Sequence, residues 1–213
     1  MRIIAGEARG RRILVPQGEG TRPPLERMRE AIFSILDEGS ELARVLDLFA
    51  GSGAFGLEAL SRGARQATFV ERDPIVVRLL ARNIRDLGFA GRACLIQGDA
   101  LAFPPHGMAV PLFELGGRHR GAPGRPVVPL VPEGGEAGDP YDLVFLDPPF
   151  PMFQDPCGGA EILRRSELLL QDHVTPGGSL ILRHPVAIPV EPLRPPSDRR
   201  EFGESIVLFF EKP

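Results

Sequence analysis

Val45-Leu46-Asp47-Leu48-Phe49-Ala50-Gly51-Ser52-Gly53-Ala54-Phe55-Gly56 is the stretch from which the fold is read. The run at 45–49 is β-prone and stops at a tight turn, Gly51 to Gly53. A helix is expected over Ala54–Ser61, stopped by Gly63. The pattern then repeats. Gln66–Val70 reads as a second strand ending at Glu71. Pro74–Leu87 reads as a helix, with Pro74 in its first turn and Gly88 at its end. Ala93–Gln97 reads as a third strand, ending at Gly98-Asp99. Strands alternating with helices predict an α/β fold with a doubly wound, mostly parallel sheet.

Further on, Leu143–Leu146 is an apolar run bounded by acids, the mark of a strand buried on both faces. It ends in Asp147-Pro148-Pro149-Phe150. Two prolines cannot continue a strand, so the tetrapeptide is a stiff loop at a strand's carboxyl end, the edge where ligands sit in open α/β sheets. A helix within Ala160–Leu170, a turn at Thr175–Gly178 and a fifth strand at Leu180–Arg183 follow. Glu201-Phe202 and Ile206–Phe210, divided by Gly203, close the chain as an antiparallel pair. Toward the N-terminus, Arg2–Ala5 and Arg11–Val15 suit a small β-hairpin with Gly6 and Gly10 between them. A helix is expected from Pro24 or Leu25 to Leu36, with Leu25, Met28, Ile32 and Ile35/Leu36 on one face and Arg22, Arg27 and Arg29 elsewhere. Residues 1–23 thus form a basic hairpin and connector, and 24–213 the main domain.

Residues 104–140 break the pattern with eight prolines and eight glycines, which implies a surface insertion. Val110–Leu115 and Pro126–Val131 suit a protruding hairpin there. Arg118, His119, Arg120 and Arg125 suit either nucleic-acid contact or a loop without a specific role.

The chain has 213 residues and a net charge of −3. Residues 1–29 carry seven arginines against three glutamates, a local +4, which leaves −7 for the rest. A basic arm on an acidic body suits a protein that grips phosphates with one end, although an arginine-rich surface, with Lys212 as the sole lysine, explains it equally well. No apolar run approaches the roughly 20 residues that span a bilayer, and the N-terminus has no signal-peptide core. Two cysteines, Cys94 and Cys157, without CxxC spacing fit the cytoplasm and no zinc site. The four histidines, His106, His119, His173 and His184, show no ligand spacing. A monomer without metal is expected.

Gly51, Gly53 and Gly56 satisfy the G-x-G-x-x-G pattern of dinucleotide sites, with Glu71 at a suitable distance for a ribose hydroxyl. Asp47 argues against a dinucleotide, since a carboxylate there repels pyrophosphate. It attracts the cationic amino group and sulfonium of S-adenosylmethionine. Glu71 would then accept both ribose hydroxyls and Asp99 the adenine amine, unless Asp99 is a helix cap. The candidate cofactor-binding set is Asp47, Phe49, Gly51, Ser52, Gly53, Glu71, Arg72, Asp99 and Ala100.

The candidate catalytic set is Asp147, Pro148, Pro149 and Phe150. A planar exocyclic amine is a weak nucleophile because its lone pair is delocalised. An Asp147 oxygen and the Pro148 carbonyl, accepting its two N–H bonds out of plane, favour the tetrahedral geometry of attack. Phe150 would stack on an unpaired or flipped base.

Here the chain resembles the RsmD family of Rossmann-like S-adenosylmethionine-dependent methyltransferases. The resemblance rests on Arg2-Ile-Ile-Ala-Gly6, Arg9-Gly-Arg11, Arg22-Pro23, Arg27-Met-Arg29-Glu30, Leu46–Leu60, Glu71-Arg-Asp73, Asp142–Phe150 and Gly203-Glu-Ser205. It implies a seven-stranded sheet with an antiparallel last strand. It also implies methylation of the exocyclic N2 of a guanine in small-subunit (16S) ribosomal RNA, in an assembling subunit. It assigns RNA contact to Arg9, Arg11, Arg12, Arg22, Arg27 and Arg29. Pro24 stands where the family has threonine, and residues 104–140 lie outside the resemblance. Competing readings are a DNA amino-methyltransferase acting on adenine N6 or cytosine N4, a nicotinamide dehydrogenase, and a non-catalytic RNA-binding module.

Overall fold

A computed structural model describes residues 1–16, 26–36, 43–102, 108–109 and 140–213. Helix α1 is Glu26–Leu36, then come β1 Arg44–Leu48, α2 Ala54–Ser61, β2 Gln66–Glu71, α3 Pro74–Leu87 and β3 Ala93–Gln97. A two-residue β4, Met108–Ala109, precedes β5 Tyr141–Leu146, α4 Pro151–Gln154, α5 Pro156–Asp172, β6 Val174–Pro185, β7 Asp198–Phe202 and β8 Ser205–Glu211. The sheet order is β4-β3-β2-β1-β5-β6-β8-β7. Strands β3, β2, β1, β5 and β6 run parallel, and β8 runs antiparallel to both its neighbours. This is the expected doubly wound sheet. Beyond its seven strands, β4 pairs antiparallel with Ile96 and Gln97 at the edge. The hairpin expected at Val110–Leu115 and Pro126–Val131 lies outside the described residues, as do Arg118, His119, Arg120 and Arg125.

The period of two along each strand divides the core. Val45, Phe69, Leu143 and Phe145 pack against α1, α2 and α3, while Leu46, Leu48, Val144 and Leu146 pack against α4 and α5. Phe145 is gripped by Phe33 and by Phe55, whose ring stacks at 4.6 Å between centroids. Helix α3 is capped as its sequence indicates, with Asp73 accepting from Ile75 N and Val76 N and Gly88 at φ +84° closing it.

One expectation needs revision. The turn at Thr175–Gly178 lies inside β6 as a bulge. Tyr141 pairs with Val174 and Leu143 with Ser179, so five steps on β6 answer two on β5. The C-terminal segment supports the bulge, since Gly177 N donates to Lys212 O and Lys212 N to Gly178 O. At the N-terminus the expected hairpin forms, its arms joined by an antiparallel bridge between Arg2 and Arg12, with Ile3 N donating to Arg11 O, Ile13 N to Met1 O and Gly10 N to Ile3 O. The hairpin is fastened to α2. Ile4 N and Ala5 N donate to the two oxygens of Glu58 at 2.8 and 3.0 Å, and Ala8 N donates to Ser61 Oγ. A side chain on Gly6 would meet Ser61 O at 1.7 Å, so only glycine allows this approach.

Candidate functional site

The chain leaves β1 toward β2 and β3 on one side and returns to β5 and β6 on the other. The crevice at this reversal, outside the strand carboxyl ends, is where α/β sheets place ligands. A cavity of about 530 Å³ occupies it. Its lining includes the carboxylates of Asp47, Glu71, Asp73, Asp99 and Asp147, against the arginines Arg72 and Arg183. The excess of negative charge favours a cationic guest and repels pyrophosphate.

Asp47 points to the α2 side of the sheet because it shares a face with Val45. Gly53, at φ +80°, precedes α2 and offers no side-chain cap. Asp47 supplies one from the strand, its Oδ2 accepting from Gly56 N at 2.9 Å. The residue is 1% exposed, and burial pushes its carboxyl well above the usual carboxylate range. The Gly56 amide pulls against this, and the negative charges of Asp147 and Glu71 add to the rise. A cation in the cavity would reverse the balance.

Glu71 is held by three backbone amides. Its Oε1 accepts from Arg72 N at 2.8 Å and Asp73 N at 2.9 Å, and its Oε2 from Gly51 N at 3.0 Å. A carboxylate has about four acceptor positions. One stays open for a hydroxyl donor. Asp99 is exposed and caps the short 3₁₀ turn Ala100–Ala102, accepting from Leu101 N at 3.0 Å while still lining the cavity. Capping and ligand contact are compatible there.

Phe49, Gly51, Ser52, Arg72 and Ala100 line the cavity. Phe49 is the one non-glycine with positive φ, +58°, among the described residues, a strained backbone at the cavity mouth. Gly53 does not line it. Its need for glycine is conformational and steric, because a Cβ would meet Leu80 Cδ1 at 2.4 Å.

In the loop after β5, Asp147, Pro149 and Phe150 line the same cavity, while Pro148 is buried outside the lining. Burial raises the Asp147 carboxyl above its ordinary value, and the charge and hydrogen bond of Arg183 oppose the rise. Arg183 Nε donates to Asp147 Oδ1 at 2.5 Å, and its guanidinium carbon lies 5.1 Å from the Phe150 ring centroid. Among the described residues no group of three or more His, Cys, Asp or Glu could hold a metal.

The family model described as conserved hypothetical protein 95 matches residues 1–113. Ribosomal RNA small subunit methyltransferase D of Escherichia coli strain K12 is 37% identical over 150 residues, 70% of this chain. The chain belongs to the RsmD family. It spans 60% of the length of that curated relative. The solved structure of the Escherichia coli protein yhhF is 30% identical, with a TM-score of 0.69, covering 100% of this chain and 99% of that one. An RNA methyltransferase from Salinibacter ruber, crystallised with S-adenosyl-L-homocysteine, shares the fold at 16% identity and a TM-score of 0.55, covering 90% and 94% of the two chains.

The basic arm of this RsmD-family chain is only partly turned outward. Arg9, Arg12 and Arg27 are exposed. Arg22 lies outside the described residues. Arg29 is 0% exposed and is no RNA contact. Its Nη1 donates to Ala54 O and pairs with Glu58 at 3.4 Å, and its Nη2 reaches Arg2 O, so it welds α1 to α2 and the arm. Arg11 is exposed, but its guanidinium donates to the Leu87 and Asp86 carbonyls at the end of α3, where a cation complements the helix dipole.

Sequence reasoning missed three side chains here. Arg183 stands at the end of its strand beside Asp147, a position that the strand-end rule applied to Asp47 and Glu71 would have flagged. Glu58 is a buried acid on an otherwise apolar helix. Asn83 donates to Leu14 O and Ser52 O and accepts from Leu14 N, joining the arm to the glycine turn, and nothing local to it signals that role.

Proposed function

We propose that this chain transfers a methyl group from S-adenosylmethionine to the exocyclic N2 amine of a guanine in small-subunit ribosomal RNA. The observation that carries the reading is that Asp47 and Asp147, at the ends of adjacent strands β1 and β5, open into one acid-lined cavity. A donor held on one side and an amine held on the other then share a single space. About 530 Å³ lies within the usual range for small-molecule sites.

The cofactor supplies an activated methyl group on a positively charged sulfur. The protein's part is to attract, orient and shield. Asp47 draws the cationic portion and ionises in doing so. Glu71 accepts from the ribose through its open position, and Asp99 accepts from the adenine amine. Phe49, Gly51, Ser52, Arg72 and Ala100 shape the walls, and Gly53 serves the turn. Asp147 takes one N–H bond of the guanine amine and Phe150 stacks on the base, while Pro148, buried outside the lining, stiffens the loop. Arg9, Arg12 and Arg27 are the described arginines placed for RNA phosphates. The acting unit is a monomer in the cytoplasm, its substrate an assembling small subunit, and no metal takes part.

Asp147→Ala tests the reading. With radiolabelled methyl donor and immature small subunits, the wild-type protein labels the RNA and the variant does not, while calorimetry finds donor affinity largely kept. Retained turnover in the variant overturns the assignment of the loop. Labelling of RNA-free DNA in place of the particles overturns the substrate.

A further inference from the structure

We infer that Arg183 is a positioning residue for the acceptor loop: it holds one oxygen of Asp147 and one face of Phe150, leaving the other oxygen for the amine and the other face for the base. The inference rests on the methyl-transfer reading above and extends it to a residue outside the Asp-Pro-Pro-Phe loop.

The geometry is that of a built contact. The side chains of Arg183 and Asp147 are 11% and 12% exposed, with 2.5 Å between Nε and Oδ1. Arg183 belongs to β6, which is clamped between β5 and β8, with Leu182 paired to Leu146 and Arg183 to Val207. The guanidinium is therefore delivered from a rigid strand to the residue just past its partner strand's end. A free carboxylate presents either oxygen and turns about its terminal torsion. With Oδ1 fixed, Oδ2 alone is offered. The planar cation also lies 5.1 Å from the Phe150 centroid. This sets the ring plane on which a base would stack.

Charge points the same way. Asp147 is faced by Arg183 from β6 and by Asp47 from β1, and α4 brings no charged side chain. Without Arg183, burial favours the neutral acid. A neutral carboxyl donates where the amine needs an acceptor.

The test compares the full-length wild-type protein with Arg183→Met and Arg183→Lys. In Arg183→Met the acidic limb of the kcat profile moves to higher pH. On that limb kcat falls by up to about tenfold for each unit of displacement, while KM for the donor stays unchanged. Arg183→Lys restores the limb, through its charge, but not the full kcat, because it lacks the planar contact with Phe150. Independently of activity, carbon-13 NMR of labelled aspartate follows the Asp147 carboxyl, identified by its loss in Asp147→Asn. Its midpoint rises in Arg183→Met. An unmoved midpoint, or a raised midpoint with an unmoved kcat limb, overturns the inference. A wild-type protein that labels no small-subunit RNA sinks the methyl-transfer reading instead, and the NMR midpoint alone then decides whether Arg183 sets the state of Asp147.

Discussion

Asp47 divides its two oxygens between fold and cavity. Oδ2 caps α2 through Gly56 N, and the burial this requires makes the ionised form costly. In the folded state the carboxyl stays protonated at a pH where the unfolded chain has already ionised. The folded protein then binds the extra proton, so stability falls as pH rises from the ordinary carboxylate value toward the raised one. Asp47→Asn keeps an acceptor for Gly56 N and removes that charge. Calorimetric melting at neutral pH should show Tm raised by about 2–4 °C, the effect of one kcal/mol in a domain of this size, with donor affinity largely lost. A variant that melts lower while binding the donor normally would contradict this account of Asp47. Asp47 and Asp147 were legible in the sequence because an acid at the end of an apolar run has no packing reason to be there. Arg29, to which the resemblance gave RNA contact, is instead buried against Glu58, a partner 29 positions away that nothing in its own segment announces. The open capacity of Glu71 was equally hidden, since the amides that fill it come from the folded turn.

At the scale of elements, periodicity was a good guide wherever burial has a repeat. Helices α2 and α3 and strand β3 fall on their expected bounds, and β5 extends two residues before its expected start. The arm was less legible because it has no repeat to read. It is a short hairpin, and what fixes it in place is side chains from α2 and α3. Asn83 is the clearest case, with three hydrogen bonds of 2.9 to 3.0 Å tying Leu14 and Ser52 together. Asn83→Leu fills a similar volume but strands a buried amide and two carbonyls. The cost should be about 2–4 kcal/mol, measured as a lower midpoint in urea at unchanged slope. A loss under about 0.5 kcal/mol would mean that water replaces the clamp.

Across the whole molecule, charge is separated rather than uniform. The cavity is acidic, and Arg9 and Arg12 are exposed on the N-terminal segment, whose Pro16 is part of the cavity wall. Donor and RNA would thus meet at the same edge from surfaces of opposite sign. Replacing Arg9 or Arg12 with alanine should lower the slope of log affinity against log salt for a single-stranded RNA by about 0.7 each. Stability should change little. Arg11→Ala should do the reverse, lowering stability through the end of α3 and leaving most of the salt slope intact. Wild-type slopes in the Arg9 and Arg12 variants would remove the arm from RNA binding.

The fastening of that arm has a consequence for chain length. Ile4 and Ala5 are anchored on Glu58, and Leu14 on Asn83, so the ten residues Ala5–Leu14 must bridge two points fixed by separate helices. One residue more or fewer would pull an anchor out of reach or turn its amide away. The molecule therefore has one stretch whose length is dictated by geometry.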